Sequence, residues 1–183
     1  MKEKTRCKWC HTNNLLTIQY HDEEWCEPNF EEQYLYEMLL LESFQAGLSW
    51  ECILNKRESF RQAFDHFDID KICQYNDEKV QELLLNKNII RNRLKIKATI
   101  HNSNIFKEIQ NEFGTFYHYL KTYTNGITYY EIGNTTSALS CAISKDLQKR
   151  GMKFVGPTII YSFLQAVGVV NSHEPQCYLY PSS

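Results

Sequence analysis

Residues 83–97 have the sequence Leu83-Leu84-Leu85-Asn86-Lys87-Asn88-Ile89-Ile90-Arg91-Asn92-Arg93-Leu94-Lys95-Ile96-Lys97. Two segments with helical apolar periodicity are joined there by a short polar turn, which predicts two helices connected by a hairpin. Four of the seven residues that begin at Arg91 are basic. The free N–H groups at the start of the second helix, together with these cations, are suited to binding a phosphate. A solvated helix start that is simply basic is the alternative interpretation.

Most of the remaining chain also shows helical periodicity. Four of the seven glycines directly follow such segments, as expected of residues that end helices in a left-handed conformation. The predicted helices are Phe30–Ala46, Trp50–His66, Asp77–Leu85, Arg91–Phe113, Thr115–Tyr123, Ala138–Arg150 and Thr158–Val167. The polar stretch Thr124–Thr136 is predicted to be a connecting loop, and no alternating apolar run of five or more residues indicates a strand. We therefore predict an all-α fold, with residues 1–183 forming a single domain.

The composition excludes several classes of protein. Hydrophobic residues make up 43% of the 183 residues and charged residues 23%, with only 7 Gly and 4 Pro, so a disordered or collagen-like chain is excluded. The longest apolar run, Met38–Leu41, is far too short for a membrane span. Because Met1–Arg6 is not followed by an apolar segment, we expect no secretory signal and a cytoplasmic protein. The net charge of −2 provides no global positive field, so nucleic acid would have to bind a local basic patch.

Cysteine and histidine residues cluster near both ends of the chain: Cys7, Cys10, His11, His21 and Cys26 near the start, and His173 and Cys177 near the end. Zinc is bound by about four such ligands in a tetrahedron, commonly as two short-spaced pairs. A metal ion held by one pair from each end would link the termini, but the spacing leaves the N-terminal pair undecided among five residues. Free thiols and surface histidines explain the same composition equally well.

Other roles of the cysteines have weaker support. The stretch Cys7-Lys8-Trp9-Cys10-His11 matches the C-x-x-C-H pattern of covalent haem attachment. Haem proteins of that type mature outside the cytosol, so the expected absence of an export signal disfavours this interpretation. Three further cysteines, Cys52, Cys73 and Cys141, lie within helical patterns and are expected to be buried free thiols.

One acidic residue interrupts an apolar helical face. The positions i, i+3, i+4, i+7 and i+11 of the first predicted helix are Leu35, Met38, Leu39, Glu42 and Ala46. A carboxylate on such a face is costly unless it is paired or lines a pocket. The alternative is an acid near the helix end that reaches solvent. Aromatic residues of the kind that form base-binding pockets, or equally a core, lie near Glu42 or the Cys/His residues in sequence: Trp9, Tyr20, Trp25 and Trp50.

Taken together, these features resemble a known family. The segments that carry the resemblance are Arg6–Trp9, Tyr20–Trp25, Leu41–Trp50, Ile89–Ile96, Lys149–Thr158 and Asn171–Cys177. Their sequences are similar to those of the DNA-3-methyladenine glycosylase I family, in the same order, from about Arg6 to Cys177. The resemblance implies a helix-hairpin-helix DNA glycosylase fold, with the hairpin near residues 83–97, and an enzyme of base excision repair.

The resemblance also implies a cofactor and a set of site residues. One structural Zn²⁺ per chain would be held by Cys7, His21, His173 and Cys177, joining the terminal segments 6–26 and 171–177. Glu42 would be the catalytic acid of the pocket, Tyr20 and Trp50 would contact the base, and Trp9 would form a wall. Leu48 would fill the gap that the extruded nucleotide leaves in the duplex. We expect DNA contacts from Leu48 and from the hairpin residues Asn88, Arg91, Arg93 and Lys95.

The implied reaction is hydrolysis of an N-glycosidic bond in double-stranded alkylated DNA. Alkylation at N3 gives adenine a positive charge and weakens its bond to the sugar, so water can displace free 3-methyladenine and leave an abasic site. No lysine is placed for a lyase step, so we expect a monofunctional enzyme, and we expect a monomer without a membrane partner. No aspartate downstream of Arg91 is an obvious activator of the water. The alternative is a zinc-stapled, non-catalytic DNA-binding module, against which Glu42 and Trp50 argue.

Three positions depart from the family pattern. Asn88 stands where glycine is usual, and because asparagine tolerates the left-handed conformation, we expect the hairpin to be retained. Thr17 replaces an aromatic residue of the pocket. Phe44 stands where glutamine is familiar, a change with no expected consequence.

Overall fold

The computed structural model describes residues 4–181, so residues 1–3 and 182–183, including part of the stretch Met1–Arg6, lie outside the described residues. The helices are α1 Leu15–Glu23, α2 Glu32–Gln45, α3 Trp50–Leu54, α4 Arg57–Ala63, α5 Ile69–Ile72, α6 Asp77–Leu85, α7 Arg93–Phe113, α8 Phe116–Thr124, α9 Ala138–Lys149 and α10 Pro157–Ala166, with short 3₁₀ turns at Lys8–Cys10 and Asp65–Phe67. The all-α prediction is confirmed. The assignment of residues 1–183 to one domain stays a prediction.

Helix α2 lies at the centre of the fold. Its residues 35–44 are buried without interruption, so the helix is covered on all sides rather than along one apolar stripe. Helices α10, α7, α8 and α3 pack around it. Any polar group on α2 must therefore find a partner inside the protein or face an internal pocket.

The predicted hairpin is present between α6 and α7. Asn92 caps α7, because its side-chain oxygen accepts hydrogen bonds from the N–H groups of Leu94 and Lys95 at 3.0 and 3.1 Å. The hairpin is retained with Asn88 in the usual place of glycine, although Asn88 is not among the described residues with positive φ. Instead, its N–H donates to the side-chain oxygen of Asn86 at 2.9 Å, an Asx turn that shapes the loop without a left-handed residue.

The prediction of one helix over Trp50–His66 is wrong. The chain leaves α3 at Asn55, whose side chain accepts a hydrogen bond from Asn14 at 2.8 Å, and α4 begins at Arg57. Asparagine bonds readily to groups outside a helix, which favours a break at this position. The short helices α1 and α5 were not predicted, although Asn14 and Asp68 cap them with their side chains.

A short parallel strand pair lies partly within the predicted loop Thr124–Thr136. Strand β1 (Tyr129–Tyr130) pairs with β2 (Val170–Asn171), with Tyr129 opposite Val170. Two residues are too few to produce a detectable alternating pattern. The pair fixes the chain just before the C-terminal Cys/His segment.

The cysteines are distributed differently from the prediction. Cys52 and Cys73 are only half-buried and Cys141 is exposed, whereas Cys10 and Cys26 are buried. The expectation of three buried thiols is therefore wrong, because helical periodicity does not by itself show which face of a helix is covered. Among residues 4–181, none of the helices combines the length and apolar character that crossing a membrane requires.

Candidate active site and metal centre

A pocket of about 280 Å³ opens beside the C-terminal half of α2. The side chains that line it are Trp9, Tyr20, Trp25, Glu42, Gln45, Trp50, Ser162 and Gln165. Four of these eight are aromatic, and the others are polar. The pocket therefore has the character of a site for a flat, polar ring system.

Glu42 provides the carboxyl group of this pocket. It is only 2% exposed, and its Oε2 atom has no hydrogen-bond partner among the described residues. Burial raises the pKa of Glu42 well above its ordinary range. The other buried glutamate of α2, Glu37, is instead neutralised by Arg57 at 2.6 Å and Arg61 at 2.9 Å. The same helix thus contains one paired carboxylate, which stabilises the fold, and one unpaired carboxyl, which faces a pocket.

Two more buried polar atoms of the pocket have no partner among residues 4–181. They are the Oε1 atom of Gln45 and the Nε1 atom of Trp50. Buried polar groups are rarely left unpaired, and each costs about 1–3 kcal/mol when it is. Three unpaired polar atoms in a single cavity indicate a ligand that supplies hydrogen-bonding groups of its own.

Aromatic rings form the walls of the pocket. The Tyr20 and Trp50 rings lie 5.3 Å apart between centroids, and Trp9 packs edge-on against Trp25 at 4.9 Å. The family resemblance implied pocket roles for Tyr20, Trp50 and Trp9, and all three line the pocket. Three lining residues were not predicted: Gln45, which lies one turn after Glu42 and so shares its helix face, and the pair Ser162 and Gln165, which share a face of α10.

The four predicted metal ligands come together beside the pocket. One ligand atom from each of Cys7, His21, His173 and Cys177 lies within 4.8 Å of all the others, and all four residues are buried. The Cys7 Sγ atom is 3.5 Å from His173 Nδ1. The Cys177 Sγ atom is 3.6 Å from both His21 Nε2 and His173 Nδ1. The donor set and its compactness are compatible with a metal ion. Neither Cys10, His11 nor Cys26 belongs to the cluster.

A hydrogen-bonded chain orients one of these ligands. His21 Nδ1 lies 2.9 Å from Asp22 Oδ1, which leaves Nε2 directed at the cluster. Asp22 in turn accepts two hydrogen bonds from Arg6, at 2.8 and 2.6 Å. The hydrogen bonds from the Arg6 guanidinium are the main reason why the pKa of Asp22 is lowered to about 2. A carboxylate that holds the second nitrogen of a histidine is common behind metal-binding imidazoles.

The metal cluster and the pocket share their supporting residues. Tyr20 directly precedes His21 in α1, and Trp9 follows Cys7 by two positions. The Trp9 ring lies 5.5 Å from the His21 ring, and the Trp25 ring lies 4.9 Å from His173. Anything that holds the four ligands together therefore also fixes the aromatic walls.

The DNA contacts predicted from the sequence lie on two turns of the surface. Asn88, Arg91 and Arg93 are exposed around the hairpin. Leu48 is 41% exposed on the turn between α2 and α3, where Gly47 adopts φ +81°. Only a residue without a side chain takes this conformation readily, so Gly47 allows the sharp turn that projects Leu48.

Lys95 differs from the other predicted DNA contacts. Its side chain is buried, and its ammonium group donates to the carbonyl oxygens of Phe44 at 2.8 Å and Ala46 at 2.6 Å. A group engaged in this way is not available to the DNA backbone, so the assignment of Lys95 as a direct DNA contact is corrected. The sequence could not show this, because the two carbonyls belong to a helix about fifty residues earlier.

Comparison with known proteins identifies the family. A family model described as methyladenine glycosylase matches residues 9–180 of the chain. The chain belongs to the methyladenine glycosylase family. DNA-3-methyladenine glycosylase 1 of Escherichia coli (strain K12) is 42% identical to this glycosylase over 185 residues, which cover 97% of this chain and 98% of that protein. The expectation of a glycosylase rather than a non-catalytic binding module is confirmed.

Solved structures agree with the fold of this glycosylase. A crystal structure of a 3-methyladenine DNA glycosylase I has a TM-score of 0.91 and 39% identity, covering 97% of this chain and 100% of that one. A second solved structure, of 3-methyladenine DNA glycosylase I from Staphylococcus aureus, was described for its recognition of 3-methyladenine. It has a TM-score of 0.89 and 31% identity over 94% of this chain and 95% of that one.

Two departures from the family pattern have a structural account in this glycosylase. Thr17 is buried on α1 but does not line the pocket, so the aromatic walls are formed without it. Phe44 points into the core, where its ring lies 4.7 Å from that of Phe60. The structure therefore places Phe44 in apolar packing and its neighbour Gln45 in the pocket.

The raised pKa of Glu42 predicts a pH-dependent cost to stability. Below about pH 4 both folded and unfolded chains hold the proton, and the cost is absent. As the pH rises, only the unfolded chain loses the proton, so the wild-type protein becomes less stable. Glu42→Gln removes this cost, so we expect its free energy of unfolding to exceed that of wild type by roughly 1–3 kcal/mol at about pH 8. Urea unfolding of both proteins at about pH 4 and about pH 8 measures this difference in the free energy of unfolding.

The exposed Glu51 on α3 provides the matched control for this measurement. Glu51→Gln should leave the free energy of unfolding nearly unchanged at both pH values. If Glu42→Gln behaves like Glu51→Gln, the Glu42 carboxyl is solvated and the pocket is wrongly drawn.

Proposed function

We propose that this glycosylase extrudes N3-methylated adenine from double-stranded DNA into the pocket around Glu42 and hydrolyses its N-glycosidic bond. The observation that carries the proposal is the buried carboxyl group of Glu42, unpaired among the described residues and set between aromatic rings. Glu37 on the same helix is neutralised by the cationic side chain of Arg57, whereas none of the described residues forms an ion pair with Glu42. A cationic base that enters the pocket would provide the missing partner.

The reaction follows from the chemistry of the alkylated nucleotide. The bond between the sugar C1′ and the base nitrogen breaks, and its electron pair neutralises the positive base, which leaves as 3-methyladenine. The oxygen of water bonds to C1′ and loses a proton, so an abasic site remains. No lysine is among the residues that line the pocket, and the proposed enzyme is accordingly monofunctional, without a lyase step.

Glu42 would distinguish the alkylated base from adenine. The carboxylate and a cationic ring attract each other strongly in a site from which water is excluded, and hydrogen bonds to charged groups are worth about 1.5–3 kcal/mol. Neutral adenine leaves the same carboxyl without a counter-charge. Base extrusion costs a few kcal/mol and less for a damaged base, which adds to the selectivity.

Two exposed turns would hold the DNA. Arg91 and Arg93 lie beside the N terminus of α7, where their charges and the positive end of the helix dipole would attract a phosphate. Leu48 projects from the turn that follows α2, and its apolar side chain would occupy the space of the extruded nucleotide. The contacts of Arg91 and Arg93 with the DNA backbone would not depend on base sequence.

We further propose that the Cys/His cluster binds one structural Zn²⁺ per chain. In a tetrahedral zinc site with Zn–S bonds of about 2.3 Å and Zn–N bonds of about 2.0–2.1 Å, sulfur and nitrogen ligands lie about 3.6 Å apart. Three of the four S···N separations, at 3.5, 3.6 and 3.6 Å, match this value. Four protein ligands leave no open position for a water, so the ion would hold the termini and the aromatic walls together. A monomeric state and a cytoplasmic location remain predictions.

Glu42→Gln tests the proposed role of the carboxyl. The substitution keeps the shape of the side chain but removes its charge. Free 3-methyladenine is neutral, and a hydrogen bond from it to the carboxylate would still be one to a charged group, so we expect the free base to bind about ten- to hundredfold more weakly. Release of 3-methyladenine from methylated DNA should fall at least as much, while affinity for undamaged DNA is unchanged. Calorimetry with the free base and single-turnover release measure the two effects. Wild-type values in both assays would contradict the proposal.

The metal proposal predicts about one zinc per chain in purified protein. Cys177→Ser should lower both the zinc content and the melting temperature, because a ligand is lost from a buried site. Cys141→Ser is the control, since Cys141 is exposed and far from the cluster in sequence. Zinc-free wild-type protein, or Cys177→Ser protein with full zinc content, would contradict the proposal.

The proposed backbone contacts predict a change in salt dependence. Replacing Arg91 and Arg93 by alanine should weaken binding to all DNA sequences alike and reduce the slope of log K against log salt concentration by up to about 2. Lys145→Ala, an exposed substitution on α9, should leave the slope unchanged. A loss of affinity confined to one DNA sequence would show instead that the hairpin reads bases.

A further inference from the structure

Lys95 is a buried cation whose hydrogen-bond acceptors lie on another helix. It is in the first turn of α7 and is 8% exposed. Its ammonium group donates to the carbonyl oxygens of Phe44 and Ala46, at 2.8 and 2.6 Å. These carbonyls are at the C-terminal end of α2, where the helix itself supplies no donors. A cation there also interacts favourably with the helix dipole.

No carboxylate forms an ion pair with Lys95 among the described residues. The nearest π system recorded for its ammonium is the Phe154 ring, with the centroid 5.9 Å away. The charge is therefore directed at the end of α2 alone. Lys107, by contrast, is neutralised by the carboxylate of Asp70 at the surface. The contacts of Lys95 therefore do more than neutralise its charge, because they join two helices.

The two ends of the Lys95 residue belong to different parts of the proposed DNA site. Its backbone N–H is bound by Asn92, the cap of α7, next to the exposed Arg91 and Arg93. Its ammonium holds Ala46, which is followed by Gly47 and Leu48. The same contact holds Phe44, two positions after Glu42. One side chain thus links the hairpin, the Leu48 turn and the pocket carboxyl.

We propose that Lys95 is a positioning residue that couples binding of the DNA backbone at the hairpin to the placement of Leu48 and Glu42. This inference rests on the proposed function, because it assigns Lys95 a role in the excision step. Lys95 does not contact the phosphate or the base. It holds the end of α2 against the start of α7, so that DNA seated on the hairpin meets Leu48 and the pocket at a fixed separation. Misplacement of reacting groups by about 1 Å can cost about 100-fold in rate.

Lys95→Met removes both hydrogen bonds but keeps most of the apolar stem. We expect single-turnover release of 3-methyladenine from methylated DNA to fall ten- to hundredfold. Affinity for undamaged DNA and its salt dependence should stay within about twofold of wild type, because Arg91 and Arg93 are intact. Free 3-methyladenine binding should also be kept, and its stoichiometry gives the concentration of folded protein to which the rates are normalised. Lys107→Met, on the exposed part of the same helix, is the matched control.

A double-mutant cycle separates positioning from a general structural role. If Lys95 acts through Leu48, then Lys95→Met combined with Leu48→Ala should release the base about as slowly as the slower single variant. Multiplication of the two rate losses would overturn the proposed coupling. A spectroscopic readout accompanies the cycle: 2-aminopurine beside an abasic-site analogue should brighten less with Lys95→Met than with wild type at equal saturation of the DNA.

The outcomes also distinguish this inference from the proposed function. If wild-type protein releases no 3-methyladenine, the proposed function fails. If wild type releases the base and Lys95→Met does so at the same normalised rate, only the coupling fails. A loss of free-base binding equal to the loss of excision would likewise overturn the coupling, because Lys95 would then support the pocket alone.

Discussion

The structure of this glycosylase depends on one buried carboxyl group, that of Glu42, which has no partner among the described residues. Helix α2 is covered on all sides, and Glu42 occupies a buried position on it where an apolar residue is usual. Burial of such a group opposes folding, and its cost grows as the pH rises. The aromatic walls, the Leu48 turn and the Lys95 contact all lie within a few residues of this carboxyl or pack directly on its helix. The proposed substrate, a cationic base, would provide the charge that the fold withholds.

The Cys/His cluster restrains the segment that forms one wall of the pocket. A pocket formed partly by Trp9, close to the N terminus, needs a restraint on a segment that has little regular structure of its own. The cluster provides it by bringing Cys7 and His21 against His173 and Cys177. Because Tyr20 and Trp9 are close neighbours of two of these residues in sequence, the proposed zinc would act on recognition of the base without contacting it. The chain of Arg6, Asp22 and His21 extends the restraint to the surface.

Local signals in the sequence predicted the longer helices, the hairpin and the unusual position of Glu42, because periodicity and capping act over a few residues. Spacing alone left the metal ligands undecided among five N-terminal residues, and the family resemblance was needed to select Cys7 and His21. Long-range contacts were not accessible: Lys95 resembled the other hairpin cations, yet its acceptors lie at the end of α2. The break after α3 depends on Asn14, forty-one positions from Asn55. Gln45 could have been found, since it shares a helix face with Glu42.

The ionisation of Glu42 can be observed directly. In protein labelled with ¹³C at the glutamate carboxyl groups, the Glu42 resonance is assigned by its loss in Glu42→Gln and followed as a function of pH. In the free enzyme it should titrate well above the ordinary glutamate value of about 4.3, and saturation with 3-methyladenine should lower that pKa. A Glu42 carboxyl that titrates at the ordinary value, and does so equally with and without the base, would contradict a desolvated carboxyl as the basis of recognition.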